Sequence, residues 1–285
     1  MVQGLWKKLF IGAAVLLVIS LVFDGILWHR LNDTTAQLNA IQPEMDSLKA
    51  ERDQMLSSYV SLRDQINLRL GFRQDGQRLI NPDDPEVVAK VQEITDGYSE
   101  EELWHDYASL YQWTMRNIKY SLDSPTPILP ESVTGTLEWG YDFWRTPAET
   151  IRDGTGDCED ISVLLTSMLL NYNQRKFPVC VIGIQTAGSN PKAHVAVAIL
   201  NEGDQLSIFD ITGRYWTPFS DMGGFGTQEI SLALNHWFNH LKDELPDPQV
   251  YVVFSENLYL EFSSNEEFID WARRVYQDEP VENSG

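Results

Sequence analysis

The most informative segment of the chain is Gly154-Thr155-Gly156-Asp157-Cys158-Glu159-Asp160-Ile161-Ser162, a glycine loop that runs into apolar residues at helical spacing. The spacing of these apolar residues predicts a helix over 158–171. A cysteine at a helix start lies near unpaired backbone N–H groups and the positive end of the helix dipole, both of which lower a thiol pKa. The same N–H groups can bind an oxyanion. Cys158 is therefore a candidate nucleophile; the alternative is an inert helix-start cysteine.

A nucleophilic thiol needs a base, and His194 is the candidate. It opens the β-type run 194–200, and the next such run, 205–211, contains Asp210. A three-residue loop Asn201-Glu202-Gly203, with Gly203 in the left-handed conformation, would join the two strands as a hairpin. That loop would place His194 directly opposite Asp210, with Cβ atoms about 5 Å apart. This is the arrangement of a base and its orienting carboxylate; the alternative is a strand histidine that faces solvent.

The rest of the globular part predicts helices followed by strands. Ser121–Glu131 holds three prolines and is interpreted as a loop. The predicted helices are 85–95, 100–119, 158–171 and 230–241, with a short helical turn at 147–151. The further predicted strands are 177–184, 250–254 and 258–262. This order indicates an α+β fold with an antiparallel sheet.

Residues 146–165, which include the G-D-C-E-D motif, resemble the nucleophile segment of the transglutaminase-like superfamily, and most closely that of its microbial and archaeal branch. His194 follows small residues on a strand and Asp210 ends the next strand, as the family's remaining triad positions do. Asn117-Ile118-Lys119-Tyr120 is similar to the family's segment before the nucleophile. The resemblance covers roughly residues 105–216.

The resemblance implies a papain-like α+β core, in which the cysteine helix packs on an antiparallel sheet that carries the histidine and aspartate. It implies a catalytic triad of Cys158, His194 and Asp210 and no cofactor. In the family, a thiolate attacks an amide carbonyl of a peptide or protein and forms a thioester. Water then makes the enzyme a peptidase or amidase, and an amine makes it a transglutaminase. An aromatic residue often donates to the oxyanion; the candidates are Tyr120, Trp139 and Trp144.

Metal-binding interpretations are weaker. The three triad residues could instead ligate zinc with one open position. His236-Trp237-Phe238-Asn239-His240 places two imidazoles four residues apart but lacks the glutamate of HExxH. The acids around Cys158 lack an EF-hand pattern and are ordinary partners of a helix N-terminus. We therefore predict no metal ligand, although a calcium requirement is left open, and we interpret Cys180 as a buried core thiol.

The N-terminus predicts a membrane anchor. Residues 9–28 are almost entirely apolar, and 20 residues of helix span about 30 Å, the thickness of the hydrocarbon layer. Trp6 and Trp28 bracket the run, and Lys7 and Lys8 precede it, which favours an inside N-terminus. Residues 1–30 are thus expected to form a single-pass signal-anchor in the cell membrane, with the catalytic domain extracytoplasmic. The alternative is a cleaved signal peptide, but no A-x-A-like site follows the run.

Residues 31–70 carry a heptad pattern typical of a coiled-coil stalk, which would make the chain a homodimer. Pro43 is expected to kink or divide this helix. The alternative is an amphipathic helix that lies back on its own domain. We expect a linker at 71–84, the transglutaminase-like domain at 85–277 and a flexible tail at 278–285. The a positions are Leu31, Leu38, Met45, Arg52, Tyr59 and Ile66, and the d positions are Thr34, Ile41, Leu48, Met55, Leu62 and Arg69.

Composition narrows the function further. The 285 residues carry a formal charge of −21, which would repel a nucleic acid, so none is expected as a partner. Two cysteines exclude a disulfide framework. The sequence thus predicts a membrane-anchored cysteine enzyme that cleaves or transfers an amide acyl group. The alternative is a non-catalytic papain-like interaction module displayed on a stalk.

Overall fold

The computed structural model describes residues 2–70, 74–188, 191–218 and 224–275. The chain divides into two compact units, Met1–Leu62 and Arg63–Gly285. The predicted tail at 278–285 lies outside the described residues.

The first unit belongs to one helix, α1 (Val2–Asn67). The helix runs through Pro43 without a break, so of the two expected effects of this proline, a kink or a division, the division is wrong. Proline removes a single backbone N–H, and the turns on either side retain their own hydrogen bonds. The described side chains between residues 10 and 58 are exposed to solvent. Within the described part of the chain, α1 is the helix that is long and apolar enough to cross a membrane.

The second unit mixes helices with antiparallel strands, which confirms the predicted α+β class. A 3-10 turn over Gln74–Leu79 precedes the helices. These are α2 (Pro85–Thr95), α3 (Leu103–Asn117), α4 (Pro147–Asp153), α5 (Cys158–Tyr172), α6 (Ile230–Leu241) and α7 (Asn265–Arg274). The strands are β1 (Lys119–Tyr120), β2 (Thr126–Ile128), β3 (Glu138–Gly140), β4 (Thr155–Gly156), β5 (Val179–Gln185), β6 (Ala193–Asn201), β7 (Gln205–Asp210), β8 (Tyr215–Trp216), β9 (Gln228–Glu229), β10 (Gln249–Ser255) and β11 (Leu258–Glu261).

The main sheet has the strand order β11-β10-β5-β6-β7-β8, and β9 pairs with β7. Helix layers cover both of its faces. Because side chains alternate along each buried strand, successive residues of one strand point to different cores. In β5, Val179 and Val181 point to the core shared with α2, α3 and α5. Cys180 and Ile182 point to the core shared with α6 and α7. The prediction of Cys180 as a buried core thiol is therefore confirmed.

Three features of the second unit differ from the sequence prediction. The predicted loop 121–131 contains β2, which pairs with β3. Helix α7 was not predicted. The predicted linker is also partly core, since Leu79 and Ile80 are buried and the compact unit begins at Arg63. These two apolar side chains bury their surface against the domain, so the domain begins before residue 85.

Candidate active site

The loop before Cys158 is fixed at both ends. Thr146 forms a capping box with Glu149 at the start of α4, and Gly154 ends that helix in the left-handed conformation, with φ 64°. β4 then pairs in parallel with β1. A Cβ on Gly156 would lie 2.6 Å from Cβ of Asp160, so the chain can approach α5 this closely only with glycine there. These contacts place Cys158 at the first position of α5.

His194 and Asp210 are in direct contact: His194 Nε2 lies 2.8 Å from Asp210 Oδ2. The predicted register between their strands was wrong by two residues. The hairpin closes at Asn201 opposite Gln205, so its loop is Glu202-Gly203-Asp204. Gly203 and Asp204 are both left-handed, at φ 72° and 60°, and aspartate tolerates that conformation better than most residues.

A two-residue shift keeps a side chain on the same face of a sheet. His194 and Asp210 therefore still face each other, diagonally rather than directly, and diagonal neighbours lie within reach of long side chains. The predicted contact between the two residues is confirmed, although the reason given for it was incorrect.

Asp210 is fully buried and accepts several hydrogen bonds. Trp237 Nε1 donates to Oδ2 at 2.9 Å, and the Gly213 N–H donates to Oδ1 at 2.7 Å. Burial alone would raise the pKa of Asp210, but the charge of His194 and these hydrogen bonds hold it below its usual value. Asp210 is thus an ionised acceptor. It follows that His194 Nε2 carries the proton and that Nδ1 is the basic nitrogen.

Sequence reasoning missed Trp237. It lies on α6, is fully buried, and donates to the same carboxylate oxygen that contacts His194. The motif that contains it, residues 236–240, was considered in the sequence only for the two histidines at its ends. Each of these has its own neighbour, since His236 Nδ1 lies 2.9 Å from Gln228 Oε1 and His240 Nε2 lies 2.8 Å from the Gly213 oxygen. Both imidazoles therefore contact other protein atoms, and this arrangement does not favour a metal site at His236 and His240.

The Cys158 thiol is partly buried and donates to Glu159 Oε2 at 3.3 Å, so the hydrogen bond that it makes in this structure does not go to His194. The backbone of Val195, the residue after His194, also lies against the sulfur. Burial, and then the carboxyl groups of Glu159 and Asp157, raise the pKa of the Cys158 thiol. The expected lowering by the helix N-terminus is therefore wrong here, because desolvation and adjacent acids outweigh the helix dipole.

The acids beside Cys158 form a cluster of Asp123, Asp142, Asp157 and Glu159. Burial raises the pKa values of Asp142 and Asp157 and, together with Asp157, raises that of Glu159 to about 11. Asp157 Oδ1 and Glu159 Oε1 are buried without a hydrogen-bond partner. A buried oxygen without a hydrogen-bond partner lowers the stability of the folded state.

The described residues offer one group with metal-ligand spacing. One oxygen each from Asp123, Asp157 and Glu159 lie within 4.8 Å of one another. Carboxylate oxygens suit calcium or magnesium, and a cation would satisfy the two orphaned atoms. The absence of a metal ligand stays a prediction, and this cluster is the group of described residues that would fit a divalent cation. The zinc alternative at Cys158, His194 and Asp210 is not supported, since this group does not include them.

The three candidate oxyanion donors lie in different surroundings. Trp144 is buried and donates Nε1 to Asp142 Oδ1 at 3.0 Å. Trp139 lies in β3 with an exposed side chain. Tyr120 lies in β1 beside β4; burial, and then the neighbouring Cys158, raise its pKa to about 12. Tyr120 is therefore the candidate that the structure brings beside the thiol. Tyr251, which sequence reasoning missed, also lies near Cys158, and burial raises its pKa.

Residues 88–224 match the family described as a transglutaminase-like domain. This part of the chain is a transglutaminase-like domain. The match confirms the resemblance drawn from the G-D-C-E-D motif. The transglutaminase-like domain includes Cys158, His194 and Asp210.

Individual relatives are distant. A UPF0252 protein of Methanocaldococcus jannaschii is 28% identical over 120 residues, which are 41% of this chain and 32% of that protein. The match thus spans about a third of the relative. LapG of Legionella pneumophila, treated with EGTA, is 14% identical, with 73% of this chain and 86% of LapG covered and a TM-score of 0.35.

A second solved structure, from Cytophaga hutchinsonii and described as a candidate cysteine protease, is 14% identical. The likeness covers 65% of this chain and 50% of that one, with a TM-score of 0.33.

Proposed function

We propose that the transglutaminase-like domain is a cysteine enzyme that attacks an amide carbonyl of a peptide or protein and forms a thioester. The observation that carries this proposal is the His194–Asp210 pair, with Nε2 and Oδ2 2.8 Å apart, beside the helix that begins with Cys158. Helix α5 packs on β6 next to His194, since Ser162 Oγ donates to the Val195 oxygen at 3.3 Å. The packing favours the papain-like arrangement.

The proposed steps follow from these positions. His194 Nδ1 takes the Cys158 thiol proton, and the sulfur attacks the carbonyl carbon. The Tyr120 hydroxyl and the backbone N–H groups at the start of α5 stabilise the oxyanion. His194 then protonates the leaving amine, and the acyl group stays on sulfur as a thioester. Asp210 stabilises the imidazolium throughout. Water or an amine then releases the acyl group.

The raised thiol pKa must be offset before attack. Asp123, Asp157 and Glu159 would hold a divalent cation, whose charge favours the thiolate form of the adjacent Cys158. We include this dependence in the proposal. Glu159, in the first turn of α5, would then bind the cation directly beside the nucleophile that the cation activates.

Substitution of the triad tests the proposal. Cys158→Ala and His194→Ala should each lower peptide turnover by about 10²–10⁴ without loss of the fold. Asp210→Asn should retain residual activity, because it changes the tautomer of His194 and keeps the nucleophile. His236→Ala, an exposed histidine on α6, is the matched control and should leave turnover unchanged. Full activity of Cys158→Ala would refute the mechanism.

Hydrolysis and transfer are separated by the products. Incubation of the full chain with a peptide, with and without a primary amine, should give either the free acid or the amide. Amide formed in competition with acid would identify a transglutaminase, and acid alone a peptidase or amidase.

One observation favours the non-catalytic alternative: the Cys158 thiol contacts Glu159 and has a raised pKa. A binding module would retain that inert thiol under all conditions. Iodoacetamide should alkylate Cys158 near pH 7 in the presence of calcium if the domain is an enzyme. A thiol that stays unreactive with calcium would favour the module.

We also propose that α1 anchors the protein in the cell membrane, with the domain extracytoplasmic. Its apolar run is preceded by lysines, and its described side chains between residues 10 and 58 are exposed. Protease added to intact cells should remove the domain. Its full protection would contradict this topology.

A further inference from the structure

The segment between β1 and α4 is a hairpin anchored at the nucleophile's helix. Its first end is held by the Ser121 N–H, which donates to the Gly156 oxygen at 2.9 Å. Its second end is held by the Arg145 N–H, which donates to Asp160 Oδ1 at 2.6 Å. Strands β2 and β3 pair between these ends, with Pro127 opposite Trp139. We call residues 121–143 the active-site hairpin.

One face of this hairpin packs on the protein. A Cβ on Gly140 would lie 2.9 Å from Leu70 and 3.7 Å from Ile128, so position 140 faces these two side chains. Because side chains alternate along a strand, Trp139, the neighbour of Gly140 in β3, faces the other way. Trp139 is 56% exposed, and the two residues that flank β3, Leu137 and Tyr141, are 50% and 72% exposed. We call these three residues the apolar stripe.

The apolar stripe lies in the region where exposed apolar side chains of the domain are concentrated. Nine large hydrophobic side chains are exposed among the described residues from 74 to 275, and six of them lie between 120 and 141. No lysine or arginine occurs from 120 to 144, whereas Glu131 and Glu138 are exposed there. Such a concentration marks an interaction surface, and its charge suits a basic partner.

We propose that the apolar stripe binds apolar side chains of a basic polypeptide substrate and leads that polypeptide to Cys158. This inference rests on the proposed function, because the hairpin is anchored at Gly156 and Asp160, on either side of the nucleophile. Leu137, Trp139 and Tyr141 then determine specificity, and the exposed acids of the same hairpin, Glu131 and Glu138, favour lysine or arginine in the polypeptide.

Binding to an inactive protein tests the inference apart from catalysis. Full-length Cys158→Ala protein in phosphatidylcholine nanodiscs is titrated with a fluorescein-labelled decapeptide of leucine, phenylalanine, lysine and glycine, and anisotropy is measured. Trp139→Ser and Tyr141→Ser should each weaken binding about tenfold, as expected for one buried aromatic side chain. Trp139→Phe should restore most of the affinity. Val88→Ser and Leu232→Ser, which change exposed apolar side chains elsewhere in the domain, are matched controls and should not change it.

The outcomes separate this inference from the proposed function. If the peptide binds through the stripe but wild-type protein never turns it over, the binding surface stands and the enzyme proposal fails. If wild-type protein turns the peptide over and the stripe variants change neither Kd nor kcat/KM, the binding surface is refuted and the enzyme stands. A glutamate-for-lysine peptide that binds equally well would refute the basic preference. Quenching by brominated lipid that is lost in Trp139→Ser would assign the stripe to the membrane and overturn the inference.

Discussion

Replacement of Trp237 by phenylalanine should weaken both the fold and the proposed activity. The substitution keeps an aromatic ring in the core but removes the indole N–H that donates to Asp210 Oδ2 at 2.9 Å. A hydrogen bond to a charged group contributes about 1.5–3 kcal/mol, which corresponds to roughly tenfold to one hundredfold in an equilibrium or rate constant. The Gly213 N–H and His194 remain as partners of Asp210, so we expect partial rather than complete loss of turnover.

The pH dependence of this effect separates the hydrogen bond from packing. The pKa of Asp210 is lowered in the folded state, so its ionisation contributes stability above the unfolded pKa, about 3.9, and that stability is lost as the pH falls through the folded value. Trp237→Phe raises the folded pKa. The difference in unfolding free energy from wild type, measured by urea titration, should therefore be largest near pH 7 and shrink below about pH 4.

Trp271→Phe is the matched control, because it makes the same change on α7, in the same core, away from Asp210. Its destabilisation should not depend on pH in this way. If the destabilisation by Trp237→Phe were equal at pH 7 and at pH 4, or if turnover were unchanged, the positioning role of Trp237 would be refuted.

Three further predictions concern the nucleophile, the stalk and the glycine loop. Alkylation of Cys158 should be slow at pH 7 after EGTA treatment and should become faster as the pH rises, because only the thiolate reacts. Addition of calcium should also make it faster at pH 7. Equal alkylation rates with EGTA and with calcium would exclude the cation effect. Leu48→Lys, at an exposed d position, should reduce self-association of the full chain in analytical ultracentrifugation. Glu51→Lys, at a g position, is the control and should have a smaller effect. A monomeric wild-type protein would show that the heptads have no role in assembly. Gly156→Ala should lower the Tm, because its Cβ would lie 2.6 Å from that of Asp160. Gly203→Ala, at φ 72° with open space around it, should lower the stability of the fold by only about 1 kcal/mol. Equal losses of stability in the two variants would contradict the close approach at Gly156.

The local elements of the domain were predictable from sequence. Helix α5 has apolar residues at helical spacing after a glycine loop, and α6 and α2 were predicted with their observed ends. The contact of His194 with Asp210 was also predictable, because both lie near a short hairpin. The register error shows the limit of that reasoning: Asp204 joins the loop because aspartate can adopt a positive φ, and this displaces the pairing by two residues.

The electrostatics of the site were not predictable in the same way. The helix-start position of Cys158 indicated a lowered pKa, but the sequence does not reveal that Glu159 folds back on the thiol or that Asp157 is buried beside it. Trp237 was missed for a similar reason, since it follows Asp210 by 27 positions in the chain and a single buried N–H leaves no local pattern. Desolvation and long-range hydrogen bonds depend on the packed structure.

Detection of an acyl group on Cys158 is the most direct test of the proposed mechanism. Wild-type full-length protein is incubated with a peptide library and calcium, quenched in acid, digested and analysed by mass spectrometry. We predict a mass increase equal to the acyl part of a substrate on the peptide that contains Cys158, which hydroxylamine removes and which Cys158→Ala lacks. Product formation with Cys158 unmodified at every time point, and with equal turnover by Cys158→Ala, would contradict the cysteine mechanism.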